Sequence, residues 1–166
     1  PTGANQKASV SPYMGLVKVH IDYNSPDVTS PQGQDRKGKI WGQLVPYGMN
    51  NLGFGTAKES PWRAGANQNT VISFSHDVEV EGKKLSAGIY GLHFIVEKNE
   101  WIAIFSKNST AWGSYFYDPS EDALRVKVTP KASEHSEWLT YEFDDRQLAS
   151  TIAILKWESL QVPIKI

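Results

Sequence analysis

The stretch Val17-Lys18-Val19-His20-Ile21-Asp22-Tyr23 sets the reading of the whole chain. Apolar and polar residues alternate strictly along it. Val17, Val19, Ile21 and Tyr23 therefore share one face of an extended strand, and Lys18, His20 and Asp22 share the other. The same period of two returns over residues 40–45, 71–76, 78–81, 89–96, 101–106, 124–129, 138–143, 151–157 and 160–166. In Leu124-Arg125-Val126-Lys127-Val128 basic and apolar residues interleave, as in an antiparallel strand wetted on one side. Two polar tetrapeptides, Glu81-Gly82-Lys83-Lys84 and Glu97-Lys98-Asn99-Glu100, separate such runs and read as hairpin turns. Pro163 suits an edge strand, where a missing N–H does no harm.

Helical signals are weak. Residues 109–112, 120–123 and 145–150 each allow a turn, short of the about 8 residues of a minimal globular helix. About nine or ten short strands with minimal helix predict an all-β chain. The expected architecture is a single antiparallel β-sandwich-like domain, immunoglobulin/prealbumin-like or jelly-roll-like. Residues 13–166 form that domain, and residues 1–12 read as a flexible N-terminal segment. No internal repeat or low-complexity tract interrupts it. Residues 24–39 and 48–69 are rich in Gly and Pro, and loops of that length in a compact domain carry function or are disordered.

The composition excludes several function classes. In 166 residues, 17 Lys and Arg face 18 Asp and Glu, leaving a net charge of −1. That balance argues against a basic nucleic-acid footprint or a polybasic membrane patch. Cysteine is absent, so disulfides, thiolate metal sites and thiol nucleophiles are excluded. The longest wholly apolar run is Trp101-Ile102-Ala103-Ile104-Phe105, against the about 20 residues of a membrane-spanning helix. Pro1 to Ser11 lacks a basic start followed by an apolar stretch, so it is no signal peptide. An opening of Pro1-Thr2-Gly3-Ala4 without Met reads as trimmed, which fits a signal already removed.

A set of segments is familiar. Lys39-Ile-Trp-Gly-Gln-Leu-Val-Pro-Tyr-Gly48, Pro61-Trp-Arg-Ala-Gly-Ala-Asn67, the stretch from Phe74 to Ile95, and Trp101-Ile-Ala-Ile-Phe-Ser-Lys-Asn108 resemble the domain of unknown function 2911 family. Trp112-Gly113, Tyr117-Asp118, Leu124 to Val128, Glu137 to Phe143 and Trp157-Glu158 extend the resemblance over residues 10 to 166. It implies an exported protein of Gram-negative bacteria, hence a periplasmic or secreted location. It brings no established reaction, so no catalytic residue is carried over. Residues 49–60 are longer than the family's usual link. A fainter likeness, Gly-x-x-Leu-x-Ala-Gly-x-Tyr at residues 82–90, also occurs in prealbumin-like sandwiches, where it makes a turn and an inward Tyr.

Candidate chemistry is sparse. His20, His76, His93 and His135 show neither His-x-His nor His-x-x-x-His spacing, so no metal site and no cofactor is expected. His20 and Asp22 share a strand face, an arrangement that can orient a base but is common on solvated strands. No Gly-x-Ser-x-Gly nucleophile turn is present. Trp62-Arg63-Ala64-Gly65-Ala66-Asn67 is the most informative segment. Arg63 offers a planar fork of five donors, Asn67 a donor and an acceptor, and Trp62 a flat apolar face. The competing role for Arg63 is an internal ion pair with an acidic residue. His93 and Trp112 are the expected opposing wall of a ligand site. Trp41, Trp101, Trp138 and Trp157 fall in expected strands and read as core. Asn108-Ser-Thr matches a glycosylation acceptor and reads as chance. The favoured function is non-catalytic binding of a small polar or carbohydrate-like ligand, or of a cell-envelope partner. The alternative is a hydrolase of unfamiliar type using His93 or His76 with a nearby carboxylate.

Overall fold

The computed structural model describes residues 4–166; Pro1 to Gly3, the start of the expected flexible segment, lie outside the described residues. The strands run in order β1 (Gln6–Val10), β2 (Tyr13–Met14), β3 (Val17–Ser25), β4 (Thr70–Phe74), β5 (Val78–Val80) and β6 (Lys83–Leu85). They continue with β7 (Gly88–Ile95), β8 (Trp101–Ser106), β9 (Asp122–Val128), β10 (Lys131–Asp144) and β11 (Ile152–Lys165). A 3₁₀ turn at Pro119–Glu121 precedes β9, and the described residues contain no α-helix. The chain is all-β and antiparallel, as the alternation predicts.

The main sheet has the order β1-β3-β4-β7-β8-β9, with β2 paired to β3. Its register lines up Ile21, Ile72 and Tyr90 across β3, β4 and β7, then Leu92 and Phe105, then Ala103 and Val126. These inward side chains are buried and belong to one hydrophobic core. Against that face packs the β10–β11 hairpin, which contributes Leu139, Tyr141, Leu155, Trp157, Val162 and Ile164. Tyr141 meets Tyr23 edge-on, ring centroids 4.9 Å apart. The two layers give a sandwich-like domain with an unequal second layer, one long hairpin rather than a full sheet.

That hairpin bends back on itself. Thr151 and Ile166, which flank β11, exchange main-chain hydrogen bonds of 2.9 Å. The bend sits at Glu158, whose φ is 54°, so the two expected strands 151–157 and 160–166 are arms of one bent element.

Two expectations change. Residues 6–10 are the edge strand β1 rather than flexible lead-in, because Ala8 and Val10 pack on the core opposite Tyr23 and Ile21. Residues 40–45 form a tight turn rather than a strand. Gly42 takes a φ of 80°, the Val45 N–H donates to the Ile40 carbonyl at 2.8 Å, and the Tyr47 ring occupies the space of a Cβ at Gly42. This turn lies within residues 26–69, an excursion between adjacent strands β3 and β4 that contains only isolated bridges.

Candidate functional site

The excursion is anchored where β4 stops short. β7 continues past its pairing with β4, and Trp62 and Phe94 exchange main-chain hydrogen bonds of 2.8 and 2.9 Å. Gly48 donates to the Val96 carbonyl at 2.9 Å one step further on. Residue 62 thus takes the place of a strand, and alternation sends neighbouring side chains to opposite faces. Trp62 turns to the core, where its ring packs with Trp41, Trp101, Trp157 and Phe94 at centroid distances of 5.7, 6.2, 6.3 and 6.2 Å. Arg63 turns to the other face, beside His93.

The next residues are locked by buried polar contacts. Ala64 and Asn67 both have a φ of 57°, a left-handed conformation. The Ala64 carbonyl accepts from Thr70 Oγ1 at 3.0 Å and from the Tyr141 hydroxyl at 2.7 Å. A Cβ at Gly65 would lie 2.8 Å from Thr70 Oγ1 and 3.0 Å from the Asn24 carbonyl oxygen, so only glycine fits there. The Trp62 indole N–H donates to the Gly65 carbonyl at 3.2 Å.

Over this segment lies a cavity of about 330 Å³, at the lower end of the about 300–1,000 Å³ usual for ligand sites. Its walls are mostly apolar: Pro26, Pro31, Pro46 and Pro61, Leu44 and Leu52, and the rings of Trp62 and Trp157. Those two indoles are nearly parallel, with 15° between their planes. The polar lining consists of Asn5, Asn50, Ser60, Arg36 and Arg63, with no carboxylate among them. The ion pairs of the described residues involve neither arginine. Arg63 is instead held by donating Nη1 to the Asn67 carbonyl at 2.7 Å, and by stacking over Tyr115 at 4.8 Å. It also fills the space beside Gly113, where a Cβ would be 2.5 Å from the guanidinium. Arg36 donates Nη2 to the Asp27 carbonyl at 2.8 Å and Nε to the Val28 carbonyl at 3.1 Å.

Of the five site residues read from the sequence, Trp62 and Arg63 line this cavity. Asn67 stands behind it, its Oδ1 accepting from Asn5 Nδ2 at 3.3 Å. His93 and Trp112 are not on the opposing wall. His93, 2% exposed, lies on the outer face of the main sheet under the loop that follows β8. Its Nδ1 is 2.8 Å from Ser114 Oγ, and Tyr117 packs edge-on at 5.6 Å. The chamber beside it, walled by Asn69, Ser106 and Glu121 among others, has a volume of about 10 Å³, the scale of one water molecule. Burial, aided by the Arg63 charge, pushes the imidazole down to about 4, so the ring is neutral at pH 7. Trp112 is half exposed on that covering loop. Trp138, expected in the core, is 37% exposed.

The other histidines are peripheral. His76 is exposed and meets Ser75 Oγ at 2.8 Å, while the adjacent Asp77 carboxylate accepts from the Ala87 N–H. His20 pairs with Asp22 at 2.9 Å. Among the described residues no three His, Asp or Glu side chains gather closely enough to hold a metal ion.

Sequence reasoning missed Arg36, Asn50 and Trp157 as lining residues. Arg36 lies in Asp35-Arg36-Lys37, which looks like a solvated charge run, and Trp157 looks like ordinary core. The prolines were a usable signal, since Pro26, Pro31 and Pro61 fall in the two irregular stretches and Pro46 lies just before the second.

Comparison with known proteins gives a family. The profile described as "Protein of unknown function (DUF2911)" matches residues 5–166. The chain belongs to that family. No curated protein and no solved structure matches this DUF2911 chain. Within it, the matched span covers every strand, the excursion and the cavity.

Proposed function

We propose that this DUF2911 protein is a non-catalytic binding domain that holds a small polar or carbohydrate-like ligand in the cavity over Trp62 and Trp157. The supporting observation is a lining of flat apolar walls that also carries two arginines without acidic partners. Rigid rings and prolines offer contact area at little entropic cost, and the arginines offer orientation. The setting is the periplasm or the cell exterior, an expectation supported by the resemblance to exported proteins. No helix of the described residues is long and apolar enough to cross a membrane.

The hydrolytic alternative draws less support. His93 has a hydroxyl partner in Ser114, but the chamber beside it has no room for a scissile group. His76 lies on an exposed turn without a carboxylate among its hydrogen-bond partners.

Saturation-transfer NMR against a panel of monosaccharides, sugar acids and short dicarboxylates tests the binding reading. Hits should lose their signal in Trp62→Ala and weaken in Arg63→Ala. Arg63→Ala should lower the melting temperature by no more than about 5 °C, since no buried ion pair is broken. Hits indifferent to both substitutions, or an empty panel, refute the site.

A further inference from the structure

We infer that the ligand is an organic anion with a flat or ring-shaped body, its carboxylate or phosphate group held by Arg36 and its body laid against Trp157 and the prolines. This rests on the reading of the cavity as a ligand site and narrows it.

Hydrogen-bonding capacity around the cavity is unevenly met. Asn50 already donates Nδ2 to the Tyr47 and Gly48 carbonyls, Ser60 donates to the Ser114 carbonyl, and Asn5 donates to Asn67. Arg36 is different. Two of its donors are fixed on the main chain of residues 27 and 28, which holds the guanidinium plane in place, while Nη1 has no partner among the described residues. The neighbouring Asp35 carboxylate forms no ion pair with it; its Oδ1 accepts from the Lys37 N–H at 2.9 Å. Trp157, almost wholly buried, adds an aromatic ring to the wall of the same cavity.

A free guanidinium N–H, and positive charge without negative, select an acceptor-rich anion. A neutral sugar would leave that guanidinium charge unmatched, whereas an anion meets it, and no carboxylate of the lining competes for the place. A preorganised guanidinium also loses little freedom when an anion docks, so the charge contact adds affinity at small cost.

The test uses the whole chain and three probes at constant ionic strength: benzoate, phenyl phosphate and neutral benzamide. Binding is read from the tryptophan indole N–H resonances in nitrogen-edited NMR spectra. One of the two anions should shift the Trp157 resonance and bind at least about tenfold more tightly than benzamide, the effect of one charge-assisted hydrogen bond. Which anion wins separates a carboxylate from a phosphate ligand. Arg36→Gln should erase that advantage and leave benzamide unchanged. Leu52→Asp, at the exposed rim of the cavity, should do the same without touching the anchored arginine, and it decides the matter if Arg36→Gln does not fold. Benzamide binding as tightly as both anions, or anion affinity unmoved by either substitution, overturns the anion while leaving the cavity a ligand site. Inorganic phosphate binding as tightly as phenyl phosphate overturns the ring-shaped body. A Trp157 resonance silent to all three probes overturns the cavity reading and this inference together.

Discussion

Acidification of the folded protein probes His93 directly. The imidazole is 2% exposed, and burial followed by the Arg63 charge lowers its pKa from 6.5 to about 4. In the unfolded chain the ring titrates near its ordinary value of about 6.5. Between the two values the unfolded chain binds a proton that the folded chain refuses. Stability therefore falls as the pH drops from about 6.5 towards about 4, and this contribution is constant outside that window. Each tenfold difference in proton affinity between the two states is worth about 1.4 kcal/mol, so the loss reaches roughly 2–3 kcal/mol by pH 4.5. Other groups act in the same direction. Hydrogen bonds from Ser120 and Thr29 hold Asp118 and Glu137 below the usual carboxylate range, so their stabilisation also fades in acid. The difference from a His93→Gln variant removes those shared contributions. In urea unfolding at pH 7.0 and 4.5, the native chain should lose roughly 2–3 kcal/mol more than the variant. An NMR titration should leave the His93 ring resonance unmoved until below pH 5. A ring that titrates near 6.5, or equal acid losses in the two chains, refutes the buried neutral imidazole.

Two substitutions test the packing around the site. Gly91→Ala places a Cβ 2.6 Å from the Asn108 carbonyl oxygen and 3.3 Å from His93 Nε2, so it should cost about 1–3 kcal/mol in urea unfolding. A neutral result would mean that the loop after β8 is not held against β7. Tyr141→Phe removes one of two donors to the Ala64 carbonyl and should cost about 1 kcal/mol, because Thr70 Oγ1 keeps that oxygen satisfied. A cost several times larger would show that the hydroxyl alone holds the Trp62–Asn67 segment.

Strands whose alternation is enforced by the core were legible in the sequence. Residues 17–23 and 124–128 need an apolar face towards the core, so their pattern is uninterrupted. Residues 40–45 mimic that pattern, but Gly42 takes a positive φ and the chain turns. β1 was invisible because its packing uses only Ala8 and Val10, too little apolar contrast against Lys7 and Ser9. The site was legible in half. The Trp62-Arg63 segment has an unusual local composition because it must fit under Tyr141 and Asn24, and that constraint is written in adjacent residues. Arg36 and Trp157 reach the same cavity from far along the chain, and pairing them requires the long excursion and the bent hairpin. His93 was misassigned to the cavity because strand alternation gives its face, while only the fold shows what covers that face.

The excursion between β3 and β4 also sets a cost on assembling the molecule. These neighbours in the sheet meet only after residues 26–69 close as a loop, an entropic cost that rises as the logarithm of loop length. Pairings of that separation make for slow folding. The cavity needs more still, since Trp157 comes from the last strand as well as the excursion docking on β7. It is therefore complete only when the sheet, the excursion and the last hairpin are all in place. A molecule that binds only the completed cavity stabilises the native state, and wherever the cavity is unformed in the transition state it slows unfolding without hastening folding. Occupancy would lengthen the lifetime of the native chain, and that gain is kinetic persistence rather than speed of maturation.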